Sequence, residues 1–113
     1  MSQTITASCA CGLPGEAARK AVEVDASIKE RNIKRLRRIE GQVRGIQKMV
    51  DEDRYCADIM MQISSVQEAL RGVGRELMRN HLRHCASAAI RKGGGEADTM
   101  YDELLDLIYR SGR

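Results

Sequence analysis

Apolar residues recur at steps of three and four over two long stretches, and this spacing limits the fold of the chain more than any other feature. Such a pattern predicts amphipathic α-helices, one ending near Asp51 and a second ending at the glycines 93–95. A third, shorter helix is expected after Asp98 or Thr99. We therefore predict an all-α protomer with two long antiparallel helices and a short C-terminal helix. The apolar positions are Ile33, Leu36, Ile39, Val43, Ile46 and Val50 in the first stretch, and Cys56, Ile59 or Met60, Ile63, Val66, Leu70, Val73, Leu77, His81 and Cys85 in the second.

Local signals set the expected ends of these helices. The run from Ser27 to Glu30 matches a capping box, which predicts that the first helix begins at the serine. Asp53 has the side chain of an N-cap for the second helix. Gly72 and Gly74 lower helix propensity by roughly 1 kcal/mol each relative to alanine, which predicts a bend there. Residues 1–26 show no sustained periodicity, so we expect a flexible N-terminal tail followed by one helical domain over residues 27–113.

The composition predicts that the helices need partners. The chain has 113 residues, with no Phe, no Trp and three Tyr, so its core must be built from aliphatic side chains and Met. A single domain of this size buries a small fraction of its surface, and burial between subunits is the natural remedy. We therefore expect an oligomer.

Charge is concentrated in the first helix. The whole chain carries a formal net charge of only +3, but residues 31–48 hold seven basic residues against Glu40 alone. This segment has no interleaved aromatic residues for stacking on single strands, so phosphates of duplex DNA suit it better, although a solvated helix face is the simpler alternative. No apolar run approaches the roughly 18 residues of a membrane span, and no secretion signal is evident. We therefore expect a cytosolic protein whose thiols are reduced.

Three residues of the second helix form a candidate metal site. His81 and Cys85 lie one turn apart on one face, and Cys56 falls within about 20° of each around the helix axis. Along a continuous helix, however, Cys56 lies roughly 37 Å from His81, so the three cannot share an ion within one protomer. An antiparallel partner would bring Cys56 of one protomer to His81 and Cys85 of the other, giving two equivalent sites per dimer.

The donor set of this site favours a soft metal ion. Two thiolates and one imidazole suit three-coordinate Cu(I), whereas Zn(II) wants a fourth ligand and Ni(II) a square-planar set. His84 and Met60 could supply a fourth ligand, but a solvated histidine and a core methionine are the simpler interpretations. The tail pair Cys9 and Cys11 could chelate as auxiliary ligands or have no role.

Several motifs resemble the copper-sensitive operon repressor family, a group that also includes nickel/cobalt, formaldehyde and persulfide sensors. The resemblance covers about residues 30–110 and implies an all-helical dimer that pairs into a homotetramer. It further implies a repressor that binds double-stranded operator DNA when metal-free and releases it when Cu(I) binds, so that copper resistance or efflux genes are expressed. The motifs are Arg35-Leu-Arg-Arg-Ile-Glu-Gly-Gln-Val-Arg-Gly-Ile46, Tyr55-Cys56, Gln62-Ile63-Ser64, Ala69-Leu70-Arg71 and His81-Leu-Arg-His-Cys85.

The resemblance also assigns roles to individual residues. Cys56 matches the thiolate given by one protomer, and His81 and Cys85 match the pair given by its partner. Tyr55 matches a residue beside the ligand histidine, and Glu103 is the best placement for a carboxylate from the third helix in the same position. Arg35 and Arg71 match basic residues that contact DNA, with Arg37, Arg38 and Arg75 as helpers.

The ligand pattern separates the branches of this group. Persulfide sensors lack the histidine, and nickel/cobalt and formaldehyde sensors lack a cysteine at position 85, so the three residues together favour copper. One nickel-sensing branch keeps all three and adds an N-terminal histidine, which the stretch around Val24 lacks. A nickel sensor, a thiol- or persulfide-responsive repressor and a metal chaperone remain as alternatives. No phosphate loop or catalytic triad spacing is present, so an enzyme is not expected.

Overall fold

The computed structural model describes residues 18–111, and these residues form three helical units. Helix α1 spans Ala26–Asp51 and helix α2 spans Cys56–Asn80. A π-helical segment, His81–Ala86, continues α2 into α3, Ser87–Lys92, so that the chain runs as one long helical unit from Cys56 to Lys92. Helix α4 spans Gly94–Ser111. The predicted all-α architecture of two long helices and a C-terminal helix is confirmed.

The core lies between α1 and α2 and is thin. Ile39, Val66 and Val73 are its buried centre, and Ile46 and Ala69 pack against them. The rest of the apolar stripe is left open: Leu36 is 40% exposed, and Leu70 and Leu77 are 46% and 54% exposed. Within the described residues no large side chain is fully buried. One protomer therefore covers only part of the apolar face that its sequence provides.

The helix ends differ from the sequence prediction at three places. Helix α1 begins at Ala26 with Asp25 in the N-cap position and no side-chain capping bond, so the capping box predicted at Ser27 was wrong. Helix α2 begins after Tyr55, because Asp53 has a positive φ of 55° and belongs to the preceding turn. Helix α4 begins at Gly94, earlier than the predicted start after Asp98.

The glycines after α3 form the turn that the sequence predicts. Gly93 has a φ of 74° and Gly94 a φ of 58°, a region of backbone conformation that favours glycine. This turn folds α4 back against α3. It thereby brings a carboxylate of α4 towards the end of the long helix.

The irregular part of the long helix is the segment His81–Ala86, not the glycines that the sequence suggested. Helix α2 is regular through Gly72 and Gly74. The hydroxyl of Ser87 donates to the carbonyl of Arg83 at 2.5 Å, which takes up a carbonyl that the helical ladder would otherwise use. A π-helical turn is rare, and such turns are often found at functional sites.

An extended segment, residues 18–25, lies along the π-helical segment, and we call it the arm. Asn80, which is 6% exposed, accepts a hydrogen bond from the Asp25 N–H at 2.9 Å and donates one to the Glu23 carbonyl at 3.0 Å. The sequence prediction of a tail through residue 26 did not include these contacts. The remainder of the predicted tail, with Cys9 and Cys11, lies outside the described residues. None of the described helices combines the length and hydropathy required to cross a membrane.

Candidate functional site

His81 and Glu103 meet where the π-helical segment faces α4. The Nε2 atom of His81 lies 3.0 Å from Oε2 of Glu103, outside the direction of an aligned ring N–H bond, so the two groups are in close polar contact. The two side chains are 24% and 30% exposed. A carboxylate in this position fixes the ring and leaves Nδ1 as the nitrogen free to bind a metal.

Cys85 is half-buried beside the arm. Its Sγ accepts a hydrogen bond from the backbone N–H of Val22 at 3.3 Å. Arg19, also in the arm, lies 3.7 Å from the second carboxylate oxygen of Glu103. The arm therefore contacts both Cys85 and the carboxylate that faces His81.

Cys56 and Tyr55 stand at the opposite end of α2. Cys56 is a free, exposed thiol, and Tyr55 is 74% exposed. The helix from Cys56 to Asn80 is regular, so about 1.5 Å of rise per residue separates Cys56 from His81 by roughly 37 Å. The structure thus brings His81, Cys85 and Glu103 into one region and keeps Cys56 and Tyr55 away from it within a protomer.

Sequence reasoning missed a polar cluster around Asp25 and His84. His84 Nε2 lies 3.0 Å from Asp25 Oδ1, its Nδ1 lies 3.7 Å from a Glu23 oxygen, and Arg83 donates to Asp25 at 2.9 Å. Hydrogen bonding to His84, with the charges of His84 and Arg83, lowers the pKa of Asp25 from its usual range. The His84 side chain is 15% exposed. The interpretation of His84 as a solvated residue was therefore wrong.

This cluster has the residue types of a metal site. One ligand atom from each of Glu23, Asp25 and His84 lies within 4.8 Å of the others. The guanidinium of Arg83 already balances the charge of Asp25, and each nitrogen of the His84 ring faces a different carboxylate, so these polar groups are partnered by one another. We interpret the cluster as what fastens the arm. Asn80, a polar residue within an apolar stripe, is the one sequence signal that could have pointed to it.

The predicted DNA-binding arginines are spread over α1 and α2. Within the described residues Arg35, Arg37, Arg38 and Arg75 have no carboxylate within 4.0 Å, whereas Arg71 lies 3.3 Å from Glu68. Other arginines are engaged by acids, and the pair of Arg31 with Glu76 at 3.0 Å ties α1 to α2. The unpaired guanidinium groups are therefore concentrated among the residues predicted to contact DNA.

Comparison with known proteins identifies the family. The family described as metal-sensitive transcriptional repressors matches residues 28–110, from the third residue of α1 almost to the end of α4. The chain belongs to this family. The family match thus extends over nearly all of the described helical residues.

Two relatives of this chain are identical to it at about half of the aligned residues. The copper-sensing transcriptional repressor CsoR of Bacillus subtilis is 52% identical over 80 residues, which cover 71% of this chain and 77% of the relative. The copper-sensing transcriptional repressor RicR of Mycobacterium tuberculosis is 53% identical over 82 residues, covering 73% of this chain and 85% of the relative.

A solved structure has the same fold. It is the crystal structure of the copper-sensing repressor CsoR with Cu(I) from Geobacillus thermodenitrificans. The alignment has a TM-score of 0.71 at 46% identity and covers 81% of this chain and 94% of that chain. The all-α prediction and the resemblance drawn from the sequence motifs are both confirmed.

Proposed function

We propose that this chain is a Cu(I)-responsive transcriptional repressor, which binds double-stranded operator DNA without metal and releases it when copper binds. The observation that carries the proposal is the grouping of Cys85, His81 and Glu103 at one end of α2, with Cys56 on the same helix face at the other end. Relatives named as copper sensors support the choice of metal.

The donor set fits copper. Cys56 from one protomer with His81 and Cys85 from its partner gives two sulfurs and one nitrogen, the soft set that suits Cu(I) in three-coordinate form. The free state of both cysteines agrees with a ligand role. When bound, copper supplies a soft cation that joins ligands of two protomers. Cys9 and Cys11 remain candidate auxiliary ligands.

Around that site the protein's own groups set the ligand orientations. Glu103 holds the His81 ring from its Nε2 side, and the Val22 N–H fixes the direction of the Cys85 sulfur. Tyr55 immediately precedes Cys56, so antiparallel pairing of protomers would carry it towards His81 of the partner. We infer that Tyr55 and Glu103 together define the histidine position in the assembled site.

The proposed assembly is a dimer that pairs into a homotetramer. Open apolar side chains along both long helices support it, among them Leu36, Leu70 and Leu77, because a contiguous apolar face of this kind is costly in water. A tetramer would also repeat the basic α1 four times, which strengthens attraction to a duplex beyond the net charge of one chain.

The geometry of α2 supplies a route from metal to DNA. Arg71 and Arg75 lie on the same continuous helix as His81 and Cys85. Because a hydrogen-bonded helix moves as a unit, a change in the pairing of its ligand-bearing end displaces these arginines relative to α1. By thermodynamic linkage, bound DNA must weaken copper binding by the same factor by which bound copper weakens DNA binding. The coupling free energy between two such sites is typically about 1–3 kcal/mol.

An anaerobic DNA-binding measurement tests the proposal. The probe is a duplex that the wild-type protein has selected from a random pool, bound in the presence and absence of Cu(I). We expect wild-type protein to release the duplex on copper addition. The variants His81→Ala and Cys85→Ala should bind DNA and keep it when copper is added.

The outcome also separates the alternatives. Release that survives both substitutions would contradict the metal site. Release by oxidants or persulfide without metal would instead support a thiol-responsive repressor, and copper uptake without DNA binding would support a metal chaperone. X-ray absorption should show two sulfurs and one nitrogen around copper, whereas Ni(II) would show a square-planar set. The proposed role requires neither catalysis nor a membrane and places the protein in the cytoplasm.

A further inference from the structure

The arginines of this protein divide into two groups by their partners. Arg31, Arg44, Arg71, Arg79 and Arg83 each lie within 4.0 Å of a carboxylate. In the part of the chain that the structure describes, Arg35 and Arg38 have no such partner, and the same is true of Arg37, Arg54, Arg75 and Arg91. An arginine with no acid beside it is the better prepared to bind an anion, since no ion pair must first be broken.

Of these unpaired arginines, Arg35 and Arg38 line one and the same cavity. It has a volume of about 340 Å³ and lies between α1, which contributes Arg35 and Arg38, and α2, which contributes Ala69 and Gly72. Its remaining lining residues, Ile39 and Gln42, are uncharged, so the cavity has two positive groups and no acid in its lining. The charge of the cavity selects an anionic group.

Gly72 leaves the α2 side of this cavity bare. A Cβ atom added there would lie 3.5 Å from Nη1 of Arg35, an ordinary contact, so the guanidinium sits directly over the glycine. Any longer side chain at position 72 would enter the space in front of Arg35. Gly74, on the same helix, has nothing within 4 Å of an added Cβ atom and does not line the cavity.

We propose that this cavity, formed by Arg35, Arg38 and the bare helix at Gly72, is the seat of one backbone phosphate of the bound DNA. The inference rests on the proposed function, since it assigns a place to the DNA of that function. It separates two neighbours that sequence reasoning treated alike: Arg38 lines the cavity, whereas Arg37 does not. A planar guanidinium binds phosphate oxygens in a bidentate manner, and two of them from adjacent turns of α1 would hold one phosphate from one side.

A charge-matched pair of variants tests the seat. Gly72→Glu places a carboxylate in front of Arg35, whereas Gly74→Glu adds the same charge to the same helix outside the cavity. We expect Gly72→Glu to lower affinity for the selected duplex by about tenfold or more relative to Gly74→Glu. We also expect it to reduce the magnitude of the slope of log K for DNA binding against log salt concentration by about one. Gly72→Ala should bind like wild type, because the Cβ atom has room.

Several outcomes would overturn the seat. If the two glutamate variants weaken DNA binding equally, or Arg37→Ala costs as much as Arg38→Ala, the phosphate lies elsewhere on the basic surface. Copper binding by each variant, with its helical circular dichroism, shows that it has folded.

A titration with inorganic pyrophosphate, followed by NMR of the arginine side chains, tests the seat without DNA. Shifts at Arg35 and Arg38 that Gly72→Glu abolishes would support the seat even if wild-type protein bound no duplex, a result that would refute the proposed function alone. Shifts spread evenly over all arginines would reject the seat.

Discussion

The start of helix α2 and the π-helical segment that follows its end carry the two halves of the proposed copper site and are built in opposite ways. At the C-terminal end, His81 faces Glu103, Cys85 accepts a bond from the arm, and Asn80 holds the arm by two hydrogen bonds. At the N-terminal end, Cys56 is exposed and Tyr55 has most of its surface in solvent. The C-terminal half-site is thus organised by contacts within the protomer, whereas the N-terminal half-site is left exposed to solvent.

This contrast shows that the two halves of a shared site need different amounts of support from the protomer that carries them. A half-site that must orient an imidazole needs support from several elements, and α4 and the arm provide it. A single thiolate needs only a position on a helix face. The division also means that copper binding reports on how two protomers are paired.

The largest expected effect comes from mixing two defective proteins. Cys56→Ala removes one half of the site, and the double variant His81→Ala, Cys85→Ala removes the other, so each alone should lose the copper response. A mixed dimer of the two contains one intact site and should recover Cu(I) binding and DNA release. Copper stoichiometry after subunit exchange measures the recovery.

The control for this experiment is exchange of Cys56→Ala with itself, which should recover nothing. Mixed dimers that form, as native mass spectrometry would show, but bind no copper would contradict a site shared between the two ends of α2.

A smaller effect is expected from the carboxylate beside His81. Glu103→Gln should weaken copper binding by roughly 10–100-fold, the range typical when a group that orients a metal ligand is removed. Asp102→Asn, next to it on α4 and with the same loss of charge, is the matched control and should change little. Equal losses for both variants, by competition with a Cu(I) chelator, would show a general charge effect.

Two buried asparagines sharpen the contrast further. Asn80 is 6% exposed and makes two hydrogen bonds to the arm, whereas Asn32 is 4% exposed and its amide has no partner among the described residues. Asn80→Ala should release the arm, at about 1–3 kcal/mol for the two lost bonds. Asn32→Ala should leave the arm in place. Hydrogen exchange at the Val22 amide measures the difference, and equal exchange in both variants would show that the arm does not depend on Asn80.

The smallest effect is one of pH. Because contact with His84 lowers the pKa of Asp25 below its usual 3.8, the docked arm binds fewer protons than the released arm. This contribution to docking is therefore full above that usual value and is lost as the pH falls through the lowered pKa. The NMR signal of the Val22 amide should follow this loss. In Asp25→Asn the arm should be loosened already at neutral pH and show no such acid transition.

Much of the fold could be predicted from the sequence, because helix periodicity is a local property. The apolar steps in α1 and α2, the glycine turn at Gly93 and the end of α1 at Asp51 all follow from neighbouring residues. The errors fall where tertiary contacts override local signals. The capping box predicted at Ser27 is absent: the N-cap position falls two residues earlier, at Asp25, whose carboxylate contacts His84 and Arg83 rather than the helix end.

The candidate site divides along the same line. The i, i+4 spacing of His81 and Cys85 and the phase of Cys56 could be read from the sequence, since they depend only on helix geometry. The Val22 N–H that meets Cys85 could not, because a backbone donor has no signature in a side-chain pattern. The placement of Glu103 lay between these cases, since it depended on how tightly Gly93 and Gly94 fold α4 back.

By itself, then, the sequence determined that this protein is a set of long amphipathic helices, with soft metal ligands on one face and a basic first helix. The tertiary structure decided which residues meet: the arm contacts Asn80, Glu103 contacts His81, and Arg35 lies over Gly72. The physical reason is the separation along the chain between the residues that interact. Helix formation and face assignment depend on residues a few positions apart, whereas the contacts that orient a ligand or open a cavity join segments more than 20 positions apart, and only the packed chain brings them together.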